Sequence, residues 1–127
     1  MANLTEPRDT PRLGSGTLRL VEAGGTINAG GIVALKAADG KGYPAPASAE
    51  YIPLGIACDT VSSGGKVLVE RGIFLLDGDT GSGAITSKAI GGVCYVVDDH
   101  TVSVTSGAAV AGKVYNVDSA GAWIEIL

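Results

Sequence analysis

Three consecutive residues, Asp98, Asp99 and His100, are the first candidates for chemistry in this chain. A histidine beside carboxylates can bind a metal ion or act as a general base. His100 is the one histidine of the chain, whereas a protein metal site ordinarily needs three or four ligands. Strand-like segments at 93–97 and 101–105 flank the triplet, so the pattern favours the tip of a β-hairpin.

Two glycine-rich segments resemble ligand loops but lack the residues that such loops require. The segment 77–81, Asp-Gly-Asp-Thr-Gly, resembles the start of a calcium loop, yet Asp98 is the next acidic residue. The segment 64–66, Gly-Gly-Lys, leads into a strand and not into the helix that a phosphate loop needs. Both segments therefore predict turns. We expect no catalytic residues, no metal, no cofactor and no enzymatic activity.

The two cysteines, Cys58 and Cys94, both lie inside strand-like segments. They form no CxxC motif, and no histidine is near either of them in sequence. The pattern favours free buried thiols, with a disulfide as the alternative.

Composition excludes several classes of partner. The formal net charge is −4 and the nine Lys and Arg residues are dispersed, which argues against a nucleic-acid groove. No apolar run approaches the roughly 20 residues that a membrane-spanning helix needs. The first residues have no basic and apolar regions of a secretory signal, so we expect synthesis in a cytoplasm.

An internal repeat is the main clue to the fold. The segment 55–70 aligns without a gap on 112–127, so that Gly55 matches Gly112. Upstream, 30–33 aligns on 91–94, with a change in the length of the loop between the two matching segments. The repeat predicts two similar strand–turn–strand units, at about 30–76 and 91–127.

The repeated strands also agree in side-chain phase. Val67 and Val69 align with Ile124 and Ile126, and both pairs follow the two-residue period of a strand. No segment keeps a helical period over ten residues, and at most one short helical turn, at 86–90, is expected. The prediction is an all-β domain over 17–127, built as a small barrel or sandwich.

Two further expectations concern exposed and buried apolar residues. The uniformly apolar run 73–76 predicts a strand that is buried on both faces. Trp123 alternates with the inward Ile124, so it should lie on the outer face of the last strand. An exposed tryptophan there indicates a subunit interface, and partial burial under a loop is the alternative.

Residues 1–16 differ from the rest of the chain. They are polar, contain Pro7 and Pro11, and show neither helical nor strand periodicity. One interpretation is a frayed terminus. The other is an extended arm that orders against a neighbouring surface, and its contact residues would be Leu4, Pro7, Arg8, Asp9 and Arg12.

Taken together, several segments resemble the decoration, or cement, proteins of tailed-phage capsids. They are Pro-Arg-Asp-Thr-Pro at 7–11, Arg-Gly-Ile-Phe-Leu at 71–75, Ile-Gly-Gly-Val-Cys-Tyr-Val-Val-Asp-Asp-His-Thr-Val at 90–102, and Gly-Ala-Trp-Ile-Glu-Ile at 121–126. The resemblance covers nearly the whole chain, and 90–102 is its most specific part. No catalytic residues are implied.

The resemblance implies a structural virion protein on the capsid exterior that stabilises the expanded shell. Its partner would be the major capsid protein, and a homotrimer is expected. A fibre-associated or receptor-binding β-module is the alternative, although aromatic residues make up only 5% of the chain. A small metal-binding or enzymatic domain that uses Asp98, Asp99 and His100 is the third possibility.

Overall fold

The computed structural model describes residues 18–106 and 109–126, and these residues form an all-β protein, as the sequence predicts. The five arm residues named above lie outside these ranges. The ten strands are β1 (Leu18–Glu22), β2 (Ile32–Lys36), β3 (Lys41–Pro44), β4 (Tyr51–Ala57), β5 (Lys66–Glu70), β6 (Gly72–Gly78), β7 (Val93–Val96), β8 (Thr101–Ser103), β9 (Val110–Asp118) and β10 (Gly121–Ile126).

The strands form two units with the same topology. Unit 1, residues 18–70, is a sheet with the strand order β1-β5-β4-β2-β3. Unit 2, residues 72–126, has the order β6-β10-β9-β7-β8, and β8 pairs in parallel with β6 to close a barrel. Unit 1 carries a parallel bridge at the matching place, between Ala23 and Gly42. The repeat is therefore longer than the predicted segments and includes all five strands of each unit.

The strand pairing corresponds residue by residue between the units. Ile32 lies opposite Ile56 in unit 1, and Val93 lies opposite Lys113 in unit 2. Each pair of strands contains a bulge one residue further on. The backbone thus matches Ile32 with Val93 and Ile56 with Lys113, and the sequence alignment makes the same two matches.

The last strand of each unit departs from the gapless alignment. Glu70 lies opposite Ile56 in unit 1, and Glu125 lies opposite the matching residue, Lys113, in unit 2. Glu70 therefore matches Glu125, and Val69 matches Ile124 and not the predicted Ile126. A shift of two positions keeps each side chain on its face of the strand, so the predicted inward phase is correct.

Strand β2 is buried on both faces because the two units share a core. Val33 packs into the interior of unit 1, while Ile32 and Ala34 point the other way and join the interior of unit 2. The Ile32 N–H donates to the Asp99 carbonyl oxygen at 2.6 Å, which links the units directly. The interior of unit 1 consists of Ala23, Ile27, Val33, Leu54, Ala57, Val67 and Val69.

Two sequence-based expectations need correction. In the run 73–76, Leu76 is buried, but Ile73 and Leu75 are 41% and 45% exposed. The prediction of burial on both faces is wrong, because β6 belongs to a closed barrel that covers only its inner face. The sequence predicts at most one helical turn, at 86–90, and the 3-10 turn Ser87–Ala89 lies there. The structure adds a second 3-10 turn at Gly81–Gly83.

In each unit, a glycine of one strand lies close to the backbone of a neighbouring strand, and the two glycines occupy matching positions. A Cβ atom at Gly55 would collide with the backbone oxygen of Glu70, and one at Gly112 would collide with that of Glu125. Backbone cannot move away as a flexible side chain can. We therefore expect Gly55→Ala and Gly112→Ala each to lower the free energy of unfolding by about 2 kcal/mol, measured by urea denaturation.

The matched control is Gly78→Ala. A Cβ atom at Gly78 would have no neighbour within 4 Å, so this change should alter stability by no more than about 0.5 kcal/mol. Equal stability of all three variants would contradict the close approach at Gly55 and Gly112.

Candidate functional site

The triplet Asp98, Asp99 and His100 lies in the turn between β7 and β8, as predicted, and these two strands pair antiparallel. The Asp98 Oδ1 atom accepts a hydrogen bond from the His100 backbone N–H at 3.0 Å, which shapes the turn. The His100 Nδ1 atom lies 3.0 Å from Asp77 Oδ2, at the end of the neighbouring strand β6. The ring is thus oriented by a residue that the sequence placed in a separate loop.

Charges around the turn favour the protonated histidine. The hydrogen bond to Asp77 and the nearby Asp98 carboxylate raise the pKa of His100, and its side chain is 60% exposed. Burial would raise the pKa of Asp98, but hydrogen bonds from His100 and Thr101 outweigh burial and lower it. An exposed imidazolium between carboxylates is a stable ion-pair cluster. These carboxylates favour the protonated imidazole, and the protonated form cannot accept a proton as a general base.

The same turn borders a shallow pocket between the units. The pocket has a volume of about 300 Å³ and is lined by Asp99 and His100 together with 28–31 of unit 1. Potential ligand atoms of Asp98, Asp99 and His100 lie within 4.8 Å of one another. His100 already contacts Asp77 and Asp98, and the cluster is open to solvent. The arrangement is that of a hydrogen-bonded turn.

The two cysteines are free and lie in different environments. Cys94 is fully buried, and burial raises its pKa to about 11 despite the hydrogen bond that its thiol makes to the Gly112 carbonyl. Its register position matches Val33, so the thiol serves as a small apolar core group. Cys58 is exposed, contrary to the expectation that both thiols are buried.

Exposed apolar residues recur at matching places on β1 and β6. Leu18 and Leu20 are 48% and 65% exposed, and Ile73 and Leu75 occupy the matching positions of unit 2. We call these two pairs the outer strips. An outer strand face that only water contacts ordinarily carries polar residues, so the strips indicate a binding surface.

Trp123 lies beside the outer strip of unit 2. It pairs across the strands with Leu75 and is half-buried. Its indole Nε1–H donates to Asp118 Oδ2 at 3.0 Å, and Asp118 Oδ1 accepts from the Ala120 N–H. The polar end of the indole is thus satisfied within the β9–β10 hairpin, and its apolar face remains for contact. The subunit-interface role of Trp123 stays a prediction.

A third apolar surface lies on the outer face of β7 and β9. Val93, Val97 and Val110 are 44%, 39% and 48% exposed, and the half-buried Tyr95 pairs with Val110. We call these four residues the β7–β9 face. Sequence analysis missed it, because a strand such as 93–97 gives no sign of which of its faces is covered.

The ion pairs of His100 predict a pH dependence. Because the folded pKa is raised, the stabilisation is fully present below the unfolded pKa of about 6.5 and is lost as pH rises through the folded pKa. We expect Asp77→Asn to lower the His100 pKa in an NMR titration of the ring protons.

The matched control for this titration is Asp79→Asn, because the Asp79 carboxylate accepts from the Thr80 N–H and not from the ring. The control should leave the His100 pKa unchanged. An equal effect of both substitutions would contradict a specific contact with Asp77.

Thiol labelling tests the environments of the two cysteines. In native protein, a maleimide should modify Cys58 alone, and more slowly than a free cysteine, because burial and nearby carboxylates raise its pKa. Cys94 should react only after unfolding, and Cys94→Val should change stability by less than about 1.5 kcal/mol. Labelling of a native Cys58→Ser variant would contradict this assignment.

Comparisons of the chain with protein-family models, with curated proteins and with solved structures find no match. Within the described residues, no helix is long and apolar enough to cross a membrane. The features that bear on function are therefore the exposed apolar surfaces, the charge of the chain and the resemblance carried by its sequence.

Proposed function

We propose that this protein is a non-enzymatic decoration protein that binds the outer surface of an icosahedral phage capsid and stabilises the expanded shell. The observation that carries the proposal is the pair of outer strips, which expose leucine and isoleucine at matching places of a rigid, duplicated β-scaffold. The partner would be the major capsid protein, and the protein would lie on the virion exterior as a homotrimer.

The outer strip of unit 1 lies next to the proposed arm in sequence. Strand β1 begins at Leu18, two positions after residue 16. An arm that lies on the shell would bring Leu18 and Leu20 close to the same surface. Extended segments commonly bind by adding to a sheet edge or lying in a groove. The arm and the strip together would form one continuous contact.

The proposed mechanism is stabilisation by binding. A ligand that binds the expanded shell and not its precursor shifts the equilibrium toward the expanded state. Two apolar strips per chain, repeated in each copy, add avidity without new chemistry. The net charge of −4 suits the exterior of a particle better than a DNA-facing interior.

Binding to undecorated shells tests the proposal. Purified protein should bind expanded shells in a saturable manner, with bound copies counted by particle mass, and should bind unexpanded shells at least about tenfold more weakly. Removal of residues 1–16 should abolish binding and leave the circular dichroism spectrum unchanged, because the core residues that the structure describes all lie between 23 and 126. Absence of binding to expanded shells would reject decoration.

A matched pair of substitutions separates a specific arm from general charge attraction. Arg12→Ala should weaken shell binding, whereas Arg19→Ala removes the same charge from the exposed surface of β1 and should have little effect. Equal losses from both changes would argue against a specific contact by the arm.

A further inference from the structure

One face of unit 1 is covered by unit 2, and the matching face of unit 2 lies open. In unit 1, the outward residues Ile32 and Ala34 of β2 are fully buried in the shared core. The register places Val93 and Tyr95 at the same positions of unit 2. Val93 is 44% exposed and Tyr95 is half-buried. The same structural position is therefore buried in unit 1 and accessible to solvent in unit 2.

The open face keeps the apolar character of the covered one at two positions, while the exposed Lys113 occupies the place of a buried isoleucine. Val93 occupies the position that matches Ile32, and Val110 the position that matches Pro53, although both valines are nearly half exposed. A sheet face that only water contacts is expected to alternate to polar residues. Apolar residues at these positions are explained if a similar unit covers them.

We infer that the β7–β9 face is covered by unit 1 of a second copy of this chain, in a head-to-tail contact that repeats the contact between unit 1 and unit 2. The contact joins two different surfaces and is therefore heterologous, so it leads to a closed ring or to an open chain of copies. It does not depend on the capsid proposal, because it is a property of the free protein.

Continuity with the junction of the two units supports this occupant. Val110 lines a groove of about 310 Å³ together with Tyr51, Ile52 and Pro53 of unit 1. The β7–β9 face thus extends outward from the surface where the two units already meet. A second copy that docks there would extend an interface that the chain already makes.

Charges at the edge of the face agree with the head-to-tail arrangement. The turn between β7 and β8 covers Ile32, through the Asp99 carbonyl oxygen. The matching turn of unit 1 joins β2 to β3 and carries the exposed Asp39. If the next copy repeats the contact between the units, its β2–β3 turn would lie near Val93. Lys113 lies opposite Val93 on the neighbouring strand. The carboxylate and the ammonium group have complementary charges.

The mass of the free protein tests the inference. Light scattering across a concentration series should show more than one copy per particle. Val93→Asp should raise the dissociation constant at least about tenfold, because the contact would take its carboxylate out of water and bring it toward Asp39 of the next copy. Its circular dichroism spectrum should match that of the unchanged protein, since Val93 is half exposed in one copy. A protein that is monomeric at all concentrations would overturn the inference.

Two control variants locate the contact. Leu20→Asp places the same charge on an outer strip and should leave the mass of the assembly unchanged. Trp123→Ala should also leave it unchanged if the β7–β9 face is the contact, and that result would reject the predicted subunit-interface role of Trp123. Dissociation by either control, with none by Val93→Asp, would overturn the inference and place the interface at an outer strip.

Mixing distinguishes a head-to-tail contact from a symmetric one. A tagged Val93→Asp chain retains the opposite surface on unit 1, so it should still retain untagged unchanged protein on an affinity column. In a symmetric contact the damaged face would be needed on both sides, and nothing would be retained. Absence of retention would therefore overturn the head-to-tail arrangement.

Shell binding separates failure of this inference from failure of the capsid proposal. Leu20→Asp should weaken binding to expanded shells and keep the assembly, whereas Val93→Asp should break the assembly of free protein. A monomeric protein whose Val93→Asp variant loses only shell binding would show that the shell covers the β7–β9 face, and would overturn a second copy as its occupant.

Discussion

Burial of β2 on both of its faces is the constraint on which the rest of the structure depends. Val33 belongs to the interior of unit 1, and Ile32 and Ala34 belong to the core shared with unit 2. Residues 32–34 of this strand can carry no polar side chain on either face. The relative placement of the two units follows from it, and so does the position of the Asp98–His100 turn, which is tied to Ile32 by a backbone hydrogen bond.

Much of the architecture could be predicted because strand periodicity and glycine spacing are local signals. The match of Gly30–Val33 with Gly91–Cys94 is also the match that the backbone makes. The error at Ile124, by two positions, arose because the hairpin of unit 2 is shorter than that of unit 1, and a gapless alignment cannot detect such a change. Since side chains alternate along a strand with a period of two, the error left the prediction of the core intact.

Exposure of individual apolar residues could not be predicted, because it depends on which neighbour covers a strand. The run 73–76 has the composition of a strand buried on both faces, yet β6 has one outer face in the closed barrel. Likewise, Val93 and Ile32 are both β-branched apolar residues at matching positions, but unit 2 covers Ile32 and leaves Val93 exposed. The contact of His100 with Asp77 was missed for the same reason, since the parallel pairing of β6 with β8 joins residues distant in sequence.

The two interiors differ in a way that bears on the order of folding. Among the described residues, only those of unit 1 form the core of unit 1, whereas the core of unit 2 also contains Ile32, Ala34, Ala45 and Ile56. During synthesis, the amino-terminal half can thus collapse around a complete nucleus as soon as β5 has left the ribosome. The carboxy-terminal half then condenses on a preformed apolar template, so part of its core is already in place when its non-local strands pair.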